Sequence, residues 1–225
     1  QSLSFASLMS GLLIDRRNVV VELPLILLAA LVATGSPGPA ILAIAGTSMT
    51  SGRSAGLAVA SGVTTGSWMW SAMAAFGLGA IMLSHVWLFE TIRIAGAGYL
   101  LFLAFKSARA ALRPGSMAIT GRHIPSLRRA YGSGLALHLT NPKAILFFGS
   151  LFSLGVPPGA TWEHLAVIIA AVGIQSALVF HGYALLFSNP RMISAYSRFR
   201  RWFEAVFACV FGAAGLKILT ARLDG

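Results

Sequence analysis

Long apolar segments separated by short, basic connections leave this chain one class of fold. A helix that crosses a bilayer needs about 20 predominantly apolar residues, whereas strands of a membrane barrel run about 10 residues and alternate strictly. Six segments of the helical kind lie near residues 20–46, 55–83, 92–112, 131–154, 164–187 and 202–221. Charge points the same way. Asp, Glu, Lys and Arg make up 10% of the 225 residues and hydrophobic residues 56%, against about 25% charged residues in a soluble domain. A surface that poor in charge has to meet lipid. The expectation is an all-α integral membrane protein of six transmembrane helices, with membrane lipid as its surroundings.

The net charge of +11 could suggest a nucleic-acid partner, but its distribution argues against one. Arg53 lies in the first connection. Lys106, Arg109, Arg113, Arg122, Arg128 and Arg129 lie in or beside the third, and Arg191, Arg198, Arg200 and Arg201 in the fifth. The fourth, Gly155 to Glu163, has no basic residue and the second only Arg93 at its edge. By the positive-inside rule the odd connections face the cytoplasm and both termini face outward. A basic cytoplasmic linker, 113–130, carries Pro114-Gly115 and Ile124-Pro125 and divides the chain into a three-helix half at 20–112 and another at 131–225. Those halves would be inverted relative to each other. Ordered echoes agree with a 3+3 inverted repeat: Ala40-Ile41-Leu42 with Ala144-Ile145-Leu146, Leu57-Ala58-Val59 with Leu165-Ala166-Val167, and Gly96-Ala97 with Gly212-Ala213. Residues 1–19 are read as an N-terminal extension; a secretory signal would place its positive region before the apolar one. Lipid-facing and partner-facing stripes of small residues share one pattern, so the sequence assigns no oligomeric state.

Helix breakers stand inside the first and fourth segments. In Ser36-Pro37-Gly38-Pro39 two prolines flank a glycine, and each proline lacks an N–H and clashes with the preceding helical turn. The first span should split into half-helices, one ending near Gly35 with unpaired carbonyls, the other starting near Pro39 with free N–H groups and a positive dipole end. Such a break suits a zwitterion, with carboxylate at the N–H end and ammonium at the carbonyl end. Thr140-Asn141-Pro142-Lys143 repeats the arrangement in the fourth segment and adds a charge. Freed backbone groups and a mid-membrane lysine are both costly in hydrocarbon, and paired broken helices in two halves of a chain mark a transporter's site. Lys143 could meet a substrate carboxylate, bind broken-helix carbonyls, or stand as the neutral amine. The structural alternative is a lysine that clamps the two breaks together. Asn141, both donor and acceptor, could hold substrate or satisfy loosened backbone.

Ser67 in the second segment and Gln175 in the fifth are further candidates for polar lining, with Thr64 and Thr65. His138, His181 and Lys143 are the mid-membrane groups that could carry a coupling proton. No Asp or Glu is expected at mid-span, since Glu204 falls near the inner end of the sixth segment; a substrate ammonium would then meet carbonyls, hydroxyls or aromatic faces. The single Cys209 excludes an internal disulfide. A metal-ion or other small-solute exporter on the same architecture is the alternative, but the sequence has no set of the Cys, Asp or clustered His ligands that a metal would want, and no cofactor is expected. Ala60-Ser61-Gly62 with His181 is a faint echo of a membrane serine protease, but it leaves both breaks unexplained.

The Pro-Gly-Pro and Asn-Pro-Lys tracts, in this order and spacing, resemble the LysE/RhtB family of amino-acid exporters. Gly52-Arg53, Gly62 and Gly66 with Trp70, and Gly96-Ala97-Gly98-Tyr99-Leu100 extend the match. The stretch Asn141 to Leu154 looks most like the threonine/homoserine branch, and the resemblance covers roughly 20–222. It implies an inner-membrane exporter of amino acids or their derivatives driven by the proton gradient. Many family members carry an acidic residue after the second-span glycine, where this chain has Ser67, and many follow the fourth span with Pro-Gln-Phe, absent here.

Overall fold

The computed structural model describes residues 23–24, 26–84, 86–112, 123–155 and 161–220, and every regular element among them is helical. The predicted extension at 1–19 and most of the predicted linker lie outside the described residues. Eight helices follow in chain order. They are α1 (Ile26–Gly35), α2 (Pro39–Ser51), α3 (Arg53–Ser84), α4 (Val86–Leu112), α5 (Leu127–Leu139), α6 (Pro142–Gly155), α7 (Trp162–Leu186) and α8 (Pro190–Thr220). Both predicted breaks are present: α1 and α2 meet at 49°, and α5 gives way to α6 at Thr140-Asn141.

Proline placement explains where helices stop. A residue before proline is pushed out of the helical region. Ser36, Gly38, Asn141 and Asn189 all precede a proline, and all stand at helix boundaries. Pro39, Pro142 and Pro190 then occupy the first helical position, where the missing N–H is no loss.

The last of these boundaries corrects the expected sixth segment. Hydropathy places its start at 202, whereas α8 begins at Pro190, because the Asn189 side-chain oxygen accepts the Arg191 N–H at 2.9 Å and caps the helix. The basic stretch 191–201 is therefore helix, and Glu204 sits near the middle of α8. Helix α5 starts at Leu127, its N–H at Arg129 capped by the Ser126 hydroxyl at 3.3 Å.

Among the described residues α7 is the one unbroken helix long and apolar enough by hydropathy to cross a bilayer, and the bent pair α1–α2 passes the same test together. Its 25 residues reach about 37 Å at 1.5 Å per residue. Large apolar side chains face outward over the bundle, Phe76, Phe102, Leu178 and Trp202 among them, all more than half exposed. A soluble monomer rarely exposes apolar surface on this scale.

Packing divides the buried interior in two. One core joins α1 (Ile26, Ala30, Ala33), α4 (Ala97, Leu100), α6 (Phe147, Phe148) and the start of α7 to Phe207 and Phe211 of α8. The other joins α2 (Ile41, Ile44), the start of α3 (Val59, Val63), Ala130 of α5 and the end of α7 to Tyr196 of α8. Both breaks lie between these cores. Helix α4 runs along α8, α3 packs on α5 and α7, and α6 packs on α4. The α3–α5 contact depends on glycine. A Cβ on Gly62 would strike the Tyr131 carbonyl, and one on Gly134 would strike the Val59 carbonyl, so both positions are what allow the backbones to meet. Arg201 of α8 donates to the Ala111 carbonyl of α4 at 2.9 Å, which brings the basic ends of those helices together.

Candidate functional site

The two breaks are held to each other by one side chain. Lys143, on the first turn of α6, points its ammonium at the α1–α2 break, where Nζ donates to the Ser36 carbonyl at 3.0 Å and contacts the Ser36 hydroxyl. The neighbouring Gly35 carbonyl accepts from the Tyr183 hydroxyl of α7 at 2.7 Å. The α1 end, expected to offer open carbonyls to a substrate ammonium, is thus occupied by a lysine and a tyrosine. The reason is cost: a buried carbonyl without a partner loses about 1–3 kcal/mol.

The start of α2 is different. Gly38 is its N-cap, and no side chain caps the helix there. The N–H groups and positive dipole end expected at Pro39 are left to face the break. At the second break Asn141 caps α6 itself: its side-chain oxygen accepts the Lys143 N–H at 3.0 Å. That directs Asn141 to the loosened backbone, one of the two roles anticipated for it. Thr140 is similarly occupied, its hydroxyl donating to the Ala136 carbonyl at 2.9 Å.

Ser36, Pro37, Gly38, Pro39, Asn141, Pro142 and Lys143 line a single cavity of about 500 Å³. Its opposite wall comes from α4 (Tyr99, Phe102, Lys106, Ser107) and α8 (Arg200, Glu204, Phe211). The volume falls within the roughly 300–1,000 Å³ usual for small-molecule sites. A second space of about 40 Å³, large enough for a few waters, lies behind Lys143 among Thr34, Ile41, His138 and Phe180.

A family model described as LysE type translocator matches residues 31–222, a stretch that takes in both breaks and both walls of the cavity. The chain belongs to the LysE type translocator family. Relatives of this translocator include the threonine efflux protein of Salmonella typhimurium, 30% identical over 198 residues that cover 85% of this chain and 94% of that protein. The threonine efflux protein of Escherichia coli K12 is 29% identical over the same coverage. An uncharacterized membrane protein of E. coli K12 is 30% identical over 82% of each chain. No solved structure matches.

The remaining candidates of the translocator fall at several places. Ser67 and His138 form a pair, the Ser67 hydroxyl 3.0 Å from His138 Nε2, and both are buried. His138 lines the small space, and its Nδ1 has no hydrogen-bond partner among the described residues. His181 joins α7 to α3, its Nε2 3.0 Å from the Ser61 hydroxyl and its Nδ1 2.8 Å from the Ala177 carbonyl. That Ser–His pair sits mid-helix, where the backbone N–H groups beside Ser61 are bonded within α3, so no oxyanion hole stands next to the hydroxyl. Gln175 is not brought to the breaks; its amide donates to the Leu27 carbonyl at 2.9 Å and ties α7 to α1. Trp70 donates to the His138 carbonyl at 3.4 Å and packs against the core that α1, α4, α6 and α8 share.

Glu204 is the residue that sequence reasoning missed. It is buried, beside Ser107, and within electrostatic reach of Arg200, Lys143 and Lys106. The expectation of no mid-span Asp or Glu left it out of the candidate set, yet it lines the same cavity as both breaks. Asn189-Pro190, the same cap-and-proline pair as Asn141-Pro142, was the signal that could have placed it.

Proposed function

We propose that this chain is a secondary transporter that exports amino acids or close derivatives, threonine- or homoserine-like, across the bacterial inner membrane in exchange for protons. The observation that carries the proposal is the 500 Å³ cavity walled by both helix breaks, with the Lys143 ammonium between them. The names of the threonine efflux relatives support the substrate class.

In this reading the eight helices make six spans, α1–α2 and α5–α6 each counting as one broken span, arranged as a 3+3 inverted repeat with both termini outside. The halves are 20–112 and 131–225, joined by a cytoplasmic 113–130. The α4–α8 and α3–α7 contacts are the ones a pseudo-two-fold axis would map onto themselves. The same axis would exchange α4–α6 with α8–α2, and here the two differ: α6 packs on α4, while the large cavity lies between α2 and α8. That asymmetry suits one end-state of alternating access, loaded from the basic, cytoplasmic end. Closing α2 on α8 and parting α6 from α4 would give the other.

The site residues divide as follows. The α2 N-terminus at Gly38-Pro39, with Lys143, receives carboxylate. Asn141, Pro142, Ser36, Pro37 and Thr140 shape the breaks. Lys143, His138 through Ser67, and His181 are the candidates for carrying the coupling proton.

Preloaded, radiolabelled amino acids in cells lacking their own exporters provide the test. Threonine and homoserine should leave faster when the chain is expressed, and an uncoupler should stop them. Retention of threonine, homoserine, leucine and lysine alike would overturn the exporter reading; uncoupler-insensitive efflux would overturn proton coupling alone.

A further inference from the structure

Resting on the transport reading above, we infer that Glu204 is the group that recognises the substrate's α-ammonium. The cavity has one carboxylate and three cations. Lys143 is on the break side, Lys106 on α4, and Arg200 one turn before Glu204 on α8. Lys143 is already bonded to Ser36, and the Gly35 carbonyl is closed by Tyr183. Of the lining groups only Glu204 carries the negative charge that an ammonium calls for. A carboxylate has about four acceptor positions, enough for the three N–H donors of a primary ammonium.

Its setting gives the residue a selective role. An ammonium taken from water into a buried site needs a charged partner, because uncompensated charge is expelled. A zwitterion can place ammonium on Glu204 and carboxylate among Lys143, Lys106 and the α2 N-terminus, so that its own charges match the wall. A dibasic amino acid brings a second cation into a cavity where cations already outnumber carboxylates by three to one; it is disfavoured. A 2-hydroxy acid brings no ammonium and leaves Glu204 desolvated without the N–H donors its acceptor positions call for, the situation in which sites reject an analogue most strongly.

The experiment uses the full chain, purified in lipid nanodiscs, with binding of L-threonine, its deaminated analogue 2,3-dihydroxybutyrate and L-lysine measured by calorimetry beside export in cells. The wild type should prefer threonine to the hydroxy acid by at least about a hundredfold. Glu204→Gln, which keeps size and removes the charge, should weaken threonine and shrink that preference to less than about tenfold. Glu204→Asp should retain the preference in part. Equal preference in wild type and Glu204→Gln overturns the inference. A carbodiimide probe of the unmutated protein guards against a variant that fails to fold: threonine should slow modification of Glu204 and the hydroxy acid should not, and equal protection by both also overturns it. A protein that binds threonine with these preferences but exports nothing would instead sink the transport reading and leave the recognition inference standing.

Discussion

The two helix breaks look alike in sequence and are built in opposite ways. The α5–α6 break looks after itself. Asn141 caps α6, Thr140 bonds back to α5, and the backbone N–H groups of Ala144 and Ile145 close on the Asn141 carbonyl at 2.9 and 3.1 Å. The α1–α2 break relies on others: Tyr183 from α7 and Lys143 from α6 satisfy its carbonyls, while the N-terminus of α2 has no cap. A self-capped break is a stable platform for a charge; a break capped from outside changes whenever its caps move. Substrate carboxylate competing for Lys143 would therefore loosen the α1–α2 break and leave the α5–α6 break intact.

That difference is most exposed to change at Lys143. Lys143→Met should reduce export by about a hundredfold or more, the scale of losing a charge-assisted hydrogen bond of roughly 3 kcal/mol, while the protein still inserts. Normal efflux from a correctly inserted variant would refute any binding or coupling role and reduce the lysine to a clamp. Next in size is Gly38→Ala. The position has φ −159°, extended backbone open to any residue, so strain is not the issue. A Cβ there would stand 3.3 Å from Lys143 Cδ and Nζ, displacing the ammonium. Overpacking of this kind costs about 1–3 kcal/mol, and export should fall about tenfold. Gly35→Ala is the control, since its Cβ would meet only Phe207 at 3.6 Å, an ordinary contact. If both alanines reduce export equally, the position of the Lys143 ammonium is not what matters.

Much of this division was legible in the sequence, and what was missed has a definite cause. The proline-flanked tracts fix both breaks, because residues before proline leave the helix whatever their tertiary surroundings. The identity of each cap was not legible: Tyr183 lies 148 residues from Gly35 and Lys143 107 residues from Ser36, and only the packed bundle brings them together. Gln175 shows the converse, a mid-span polar residue that suggested lining but serves to fasten α7 to the Leu27 carbonyl. Glu204 was left out of the candidates because hydropathy reads the basic stretch 191–201 as a loop, whereas Asn189-Pro190 starts a helix regardless of how polar its first turns are. Local capping chemistry was the better guide there.

Smaller effects separate the two breaks by stability. Tyr183→Phe strands the Gly35 carbonyl and should cost about 1–2 kcal/mol, read as a lower thermal midpoint in detergent. Asn141→Ala removes a single helix cap and should cost about 1 kcal/mol. The two should diverge when threonine is added. A ligand that draws Lys143 away leaves Tyr183 as the principal cap of α1, so threonine should widen the deficit of Tyr183→Phe and leave that of Asn141→Ala unchanged. Equal ligand effects on both would mean that the breaks respond as one unit. Smallest of all, Thr140→Val should change export less than about twofold, since its hydroxyl is exposed and bonds a carbonyl of its own helix, an interaction worth about 1 kcal/mol or less. A larger loss of export at an unchanged thermal midpoint would place Thr140 on the substrate after all, and would move part of the recognition from the break that is capped from outside to the one that caps itself.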